Sequence, residues 1–170
     1  MLLKPTLIIE HVTDIDLDYL WNSGVRGFIF DLDNTIMRPN TCALDEDVAA
    51  WLKTIEVKGF KSVVVSNNPI FFYTHEAEKL LNIPVLGNAS KPRRKHLRKA
   101  LEILMMEPSQ VAVVGDRPLT DILGGKRLGA KTILVDPLNK HKENIVIKFL
   151  RRIERLCIQP ADPQHSVYTD

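Results

Sequence analysis

Two aspartates two residues apart open the pentad Asp31-Leu32-Asp33-Asn34-Thr35, and three further signals follow it in order: Ser66-Asn67-Asn68, Lys91-Pro92, and Gly115-Asp116 with Asp121. Carboxylates, a hydroxyl, amides and one lysine are the groups that would handle a phosphate monoester beside a divalent cation. Such an ester is displaced most readily when an anionic group attacks in line while positive charge holds the equatorial oxygens, because positioning and charge stabilisation supply most of the catalysis. Asp31 is the candidate nucleophile. Its product would be an aspartyl phosphate, which divides one hard displacement into two easier ones. Asp33 returns to the same side if the strand continues, and is the candidate general acid and then base. Crowding by Asp31, Asp116 and Asp121 with partial desolvation is the expected device for keeping it protonated near neutral pH. The candidate Mg²⁺ set is Asp31, Asp116 and the backbone carbonyl of Asp33, since a hard cation prefers octahedral oxygen coordination completed by water and phosphate.

The remaining positions supply donors and positive charge. Ser66 offers a hydroxyl, Asn67 and Asn68 offer amides to phosphoryl oxygens or substrate, and Thr35 is expected to steady the turn after the nucleophile. Lys91 is the compact cation, without which the acids would repel a dianionic phosphate. Asp121 has two readings, supporting the metal through water or holding Lys91. Each signal alone is compatible with an ordinary turn or an exposed side chain; their joint occurrence in one order is what points to a site.

Three of the four signals end a short apolar run: Gly-Phe-Ile-Phe before Asp31, Ser-Val-Val-Val before Ser66 and Val-Ala-Val-Val before Gly115. Strand ends are where open parallel sheets collect ligands. A leading helix is expected from the Thr13-to-Asp16 capping pattern with Leu17, Leu20 and Trp21 in register and Gly24 as the stop. A first strand over about 27–32 precedes a helix over about 45–55 with Val48, Ala49, Leu52 and Ile55 on one face. A second strand at 61–66, a helix over about 72–81 and a third strand at 83–86 follow. The next helix is expected to open at Pro92, with Leu97, Ala100, Leu101, Leu104 and Met105 as its apolar face. A fourth strand at 111–114, a helix over about 119–128 and a fifth strand at 131–135 complete a regular alternation, which predicts an α/β fold with a parallel sheet and helices on both faces.

The chain has 170 residues, 45% hydrophobic and 26% charged, enough for one domain with a real core. A domain over 1–158 with a flexible tail over 159–170 is expected. Net charge is only +2, so no whole-molecule field argues for nucleic acid. Cys42 and Cys157 lie far apart without zinc-like spacing, which fits a reducing compartment. No apolar run approaches signal-peptide or membrane-span length, and a cytoplasmic protein is expected.

The four motifs resemble those of the haloacid dehalogenase (HAD) superfamily of phosphatases over about 27–136. The Leu3-Lys4-Pro5 start and the DLDNT, SNN and GDRPLTDILGG forms are similar to subfamily IIIA, the YqeG-type proteins, a group that includes phosphatidylglycerophosphate phosphatases. The resemblance implies a Rossmann-like three-layer sandwich with a five-stranded sheet ordered 5-4-1-2-3, Mg²⁺ as cofactor, an aspartyl-phosphate intermediate and a lipid phosphate as substrate. About thirty residues separate Thr35 from Ser66 and twenty-odd separate Asn68 from Lys91, which the crossovers themselves consume, so no cap domain is expected.

Two features bear on partners. Six Lys or Arg residues and no acid lie between Lys91 and Lys99; such a stretch suits either anionic lipid head groups at the inner membrane face or a solvated helix face. Between Lys140 and Ile158, Val146, Phe149, Leu150, Ile153 and Leu156 share one face, which suits an interfacial helix or, in the favoured reading, a last helix covering the sheet. Two other functions remain open: a soluble phosphatase for a small metabolite, and a non-catalytic binding scaffold. Oligomeric state is not legible.

Overall fold

Alternation along the strands sorts the core into two layers. The computed structural model describes residues 3–39 and 41–138, which place six strands in one fully parallel sheet: β1 (Leu7–Ile9), β2 (Gly27–Phe30), β3 (Lys61–Val65), β4 (Val85–Leu86), β5 (Val111–Gly115) and β6 (Lys131–Val135), in the order β1-β6-β5-β2-β3-β4. Phe28, Phe30, Val64, Ala112, Val114, Ile133 and Val135 point to one face, where they meet α1 (Leu17–Asn22), α2 (Glu46–Val57) and α3 (Phe71–Leu81). Ile29, Val63, Val65, Val111 and Val113 point to the other, against α4 (Lys95–Leu104), with Leu128 at the end of α5 (Leu123–Leu128) packed beside them. Strands buried on both faces read as continuous apolar runs, which is why the segments before Asp31, Ser66 and Gly115 lack polar alternation.

The first layer is aromatic. Phe28 and Phe30 stack at 5.2 Å between ring centroids, and Trp51 of α2 packs on both at 6.4 and 5.8 Å. Full burial of each phenylalanine stabilises by about 1.5–3 kcal/mol, so this cluster anchors the strand that carries Asp31.

The expected architecture holds with one strand added. The five strands of the alternation take the expected order, and the sheet has six because Leu7–Ile9 pairs in parallel with Ile133–Val135 at one edge. Three local readings are corrected. The leading helix is capped by Asp16, whose carboxylate accepts from the Tyr19 amide, while Thr13 sits in a separate 3₁₀ turn. The helix after Lys91 begins at Lys95, because residues 91–94 form a turn around a cis Lys91–Pro92 bond. Met105 leaves the apolar face of that helix: it adopts a left-handed conformation at the C-cap and is exposed. Between Thr35 and β3, and between Asn68 and β4, the described residues hold only α2 and α3, so no cap domain is inserted. The segment over 140–158, Cys157 and the tail over 159–170 lie outside the described residues. Among those described, no helix is long and apolar enough to cross a membrane.

Candidate active site

The strand order reverses at β2. From it the chain steps outward through β3 to β4 and later returns on the other side as β5 and then β6, against which β1, from the start of the chain, forms the edge. This is the switch point where open α/β sheets leave a crevice at the carboxyl ends of their strands. Phe30 pairs with Val64 and with Val114, so Asp31, one residue further, emerges level with Val65 and Gly115, and its amide donates to the Val114 carbonyl at 2.8 Å.

Beyond Asp31 the chain turns sharply. Asn34 has φ +65°, a conformation asparagine tolerates better than most residues. Its amide donates to the Met37 carbonyl at 2.9 Å and the Met37 amide to the Leu32 carbonyl at 3.1 Å. Leu32, Ile36 and Met37 are completely buried. Burying Leu32 pins the residue between the two aspartates, so both carboxyl groups are left on the crevice side.

Asp31 and Asp33 then meet different partners. The Lys91 ammonium lies 2.6 Å from Asp31 Oδ1 and 2.8 Å from Asp121 Oδ1; Lys91 and Asp121 are buried, while the Asp31 side chain keeps 12% of its surface exposed. The Thr35 hydroxyl donates to Asp31 Oδ2 at 3.4 Å. Asp33 instead receives the Tyr73 hydroxyl at 2.7 Å on Oδ1 and the Asn68 amide at 3.3 Å on Oδ2. Burial pushes Asp31 up to about 6 against the opposing pull of Lys91, with Asp121 and Asp33 adding to the rise. For Lys91 burial works against the charged form, but Asp121 and Asp31 outweigh it and hold the ammonium above its ordinary value.

The other strand ends position this arrangement. Ser66 is buried and its Oγ accepts from the backbone N–H of Asn68 at 3.0 Å. Asn67 grips the backbone of Lys91 from both sides, its Oδ1 accepting from the Lys91 amide at 2.6 Å and its Nδ2 donating to the Lys91 carbonyl at 3.2 Å. The amides expected to face substrate are therefore engaged: Asn67 seats the lysine, and Asn68 bridges Asp33 and the Ile70 amide. Asp121 hangs from a π turn over Pro118–Ile122, with the Arg117 amide donating to its Oδ2 at 3.1 Å. A Cβ at Gly115 would lie 2.4 Å from the Asp121 carboxyl carbon, so only glycine at the end of β5 lets that carboxylate reach Lys91.

One oxygen from each of Asp31, Asp116 and Asp121 lies within 4.8 Å of the others. Asp121 thus both holds Lys91 and joins the acid cluster, whereas the Asp33 carboxylate turns away to Tyr73. Three carboxylates against one ammonium leave two negative charges when all are ionised, and an all-oxygen donor set of that charge fits a divalent hard cation. Tyr73 is the residue motif reading missed. Its signal was a tyrosine on a buried helix face, where the hydroxyl needs a partner.

Fold and site together define a phosphatase of the HAD type. In fold the chain is similar to an uncharacterized protein from Listeria monocytogenes serotype 4b, with a TM-score of 0.55 and 18% identity over 81% of this chain and 91% of that one. The family model described as mitochondrial PGP phosphatase matches residues 1–139, and the chain belongs to that family. Among its relatives are the "Probable phosphatase YqeG" of Bacillus subtilis, 32% identical across 89% of this chain and 87% of that protein, and the chloroplastic/mitochondrial phosphatidylglycerophosphate phosphatase 1 of Arabidopsis thaliana, 28% identical across 98% of this chain. The chain spans about half the length of the latter, 52%.

Proposed function

We propose that this protein is a Mg²⁺-dependent phosphomonoester hydrolase that converts phosphatidylglycerophosphate to phosphatidylglycerol through an aspartyl phosphate. The observation that carries the chemistry is the separation of two neighbouring carboxylates, Asp31 beside a buried ammonium and Asp33 between two neutral donors. Asp31 attacks phosphorus as the ester P–O bond breaks, and Asp33 gives its proton to the departing alkoxide. Asp33 then takes a proton from the incoming water, the acyl-phosphate P–O bond breaks, and inorganic phosphate and free Asp31 result. Lys91 holds the phosphoryl oxygens near the acids, while Thr35 and Ser66 line the approach. Asp31, Asp116 and Asp121 are the side chains that would hold Mg²⁺, with the Asp33 carbonyl as a further donor. A bound divalent cation supplies electrostatic stabilisation of charge developing on the transferring phosphoryl group.

The lipid substrate rests on family membership and on the open crevice, which admits a bulky ester presented on a surface. On this reading the protein works in the cytoplasm, peripheral to the inner membrane face. A substrate panel in the presence of Mg²⁺ tests it, comparing phosphatidylglycerophosphate in mixed micelles with sugar phosphates and nucleotides. The lipid should be turned over with the highest kcat/KM. Equal or faster hydrolysis of small soluble esters would assign the site to a metabolite instead.

A further inference from the structure

Just beyond Asn68 the chain exposes three consecutive large apolar side chains at the start of α3: Ile70 at 54%, Phe71 at 80% and Phe72 at 73%. The next residue, Tyr73, is buried and holds Asp33. On the other side of Asp31, beyond β5, Leu119 is also exposed. Because β2 lies between β3 and β5, these apolar groups flank the crevice at the same carboxyl edge of the sheet. Exposed apolar residues scattered singly need no explanation, but a contiguous run beside a site marks an interaction surface.

Charge on the same edge selects the partner. Arg93, in the turn after Lys91, and Lys95, the first residue of α4, are both exposed there. The acids inside the crevice are Asp31 and Asp121, paired with Lys91, Asp33, held by Tyr73 and Asn68, and Asp116. Asp45 is paired with Arg38, and the exposed Glu46 and Asp47 begin α2, which shares α3's face of the sheet and lies across the sheet from Arg93 and Lys95 on the α4 side. Large apolar side chains beside exposed cations match a bilayer surface, in which the rings enter the acyl boundary and the cations meet anionic head groups.

We propose that Ile70, Phe71 and Phe72, with Leu119 across the crevice and Arg93 and Lys95 beside it, form a docking surface for an anionic lipid bilayer that sets Asp31 against head-group phosphates. It rests on the lipid-substrate reading for its purpose, but its test does not. The full chain is sedimented with phosphatidylcholine vesicles made with and without phosphatidylglycerol, at low and high salt, as wild type, F71S/F72S and R93E/K95E. Wild type should partition onto the anionic vesicles, F71S/F72S should bind about tenfold or more weakly at either salt, and R93E/K95E should lose the salt-sensitive part. Hydrolysis of a water-soluble aryl phosphate should be unchanged in F71S/F72S, showing that the site survives. Vesicle binding by F71S/F72S equal to wild type overturns the proposal, as does a change in self-association by sedimentation velocity with no change in vesicle binding, which would make the patch an interface between copies. Patch-dependent vesicle binding without phosphatidylglycerophosphate hydrolysis would keep the docking surface and remove the substrate. Hydrolysis of vesicle-borne lipid unaffected by the patch would do the reverse.

Discussion

Asp31 and Asp33 leave the same strand two residues apart, yet the protein holds them by different means. On the β5 side, Asp31 shares an ammonium with Asp121 in a buried cluster of fixed charges. On the β3 side, Asp33 rests against a phenol and a carboxamide. A cation beside a carboxylate favours its ionised form, as an attacking group needs. Neutral donors fix the Asp33 carboxyl group in space, which suits a group that must be positioned to give a proton and later take one. The division of labour thus follows from which neighbouring strand each residue leans toward.

That contrast can be broken most severely at Asp31. Asp31→Asn should reduce phosphate release on the order of 10⁴-fold or more with the fold retained by circular dichroism; activity within tenfold of wild type would remove it as nucleophile. Asp33→Asn should cost about 10²- to 10⁴-fold and, unlike the first substitution, leave a phosphorylated Asp31 that mass spectrometry can detect after quenching in acid. If no phosphoenzyme accumulates even from an aryl phosphate, whose phenolate leaves without needing a proton from Asp33, the second step does not depend on Asp33. Tyr73→Phe sharpens the comparison with a smaller change. Loss of one hydrogen bond of about 0.5–1.5 kcal/mol should lower kcat by roughly 2- to 13-fold with little effect on KM for a soluble ester, whereas an unchanged kcat would reduce Tyr73 to packing.

The smallest expected effect separates charge from position. In the native state Asp31 keeps its proton up to about 6, above the value of 3.8 for an unperturbed aspartate. Between those values the native protein binds more protons than the unfolded chain, so this group's contribution to stability falls as pH rises from about 4 to about 6. In chelator, the excess in Tm of Asp31→Asn over wild type should therefore be a few degrees greater at pH 7 than at pH 5, and Mg²⁺ should shrink it at pH 7. A difference that ignores both pH and Mg²⁺ would mean that the cluster does not govern Asp31's ionisation.

Much of this arrangement was legible because apolar runs and chemical signals coincide: Phe28 to Phe30, Val63 to Val65 and Val111 to Val114 are buried strands, and each delivers its polar residue to the same edge. What escaped depended on contacts remote in sequence or on competition between local options. Leu7–Ile9 is too short to show an alternation and becomes a strand only by pairing with β6, more than a hundred residues later. Asp16 and Thr13 both had a capping side chain, and the tertiary fold chose between them. Asn67 read as a substrate donor because nothing local reveals that its amide matches the backbone of Lys91, 24 positions away. Asp121 carried two readings, and Gly115 joins them: without a side chain there, one carboxylate can both face the acids and hold the lysine.

The sheet ends in very short strands, three residues in β1 and two in β4. Exposed β edges present unpaired amides and carbonyls on which another chain can template, and brief edge strands are one way natural sheets blunt that hazard. A two-residue rim such as Val85–Leu86 gives an incoming strand little to register on. Concentrated solutions of the protein should accordingly resist edge-to-edge polymerisation even though the strands within are almost wholly apolar.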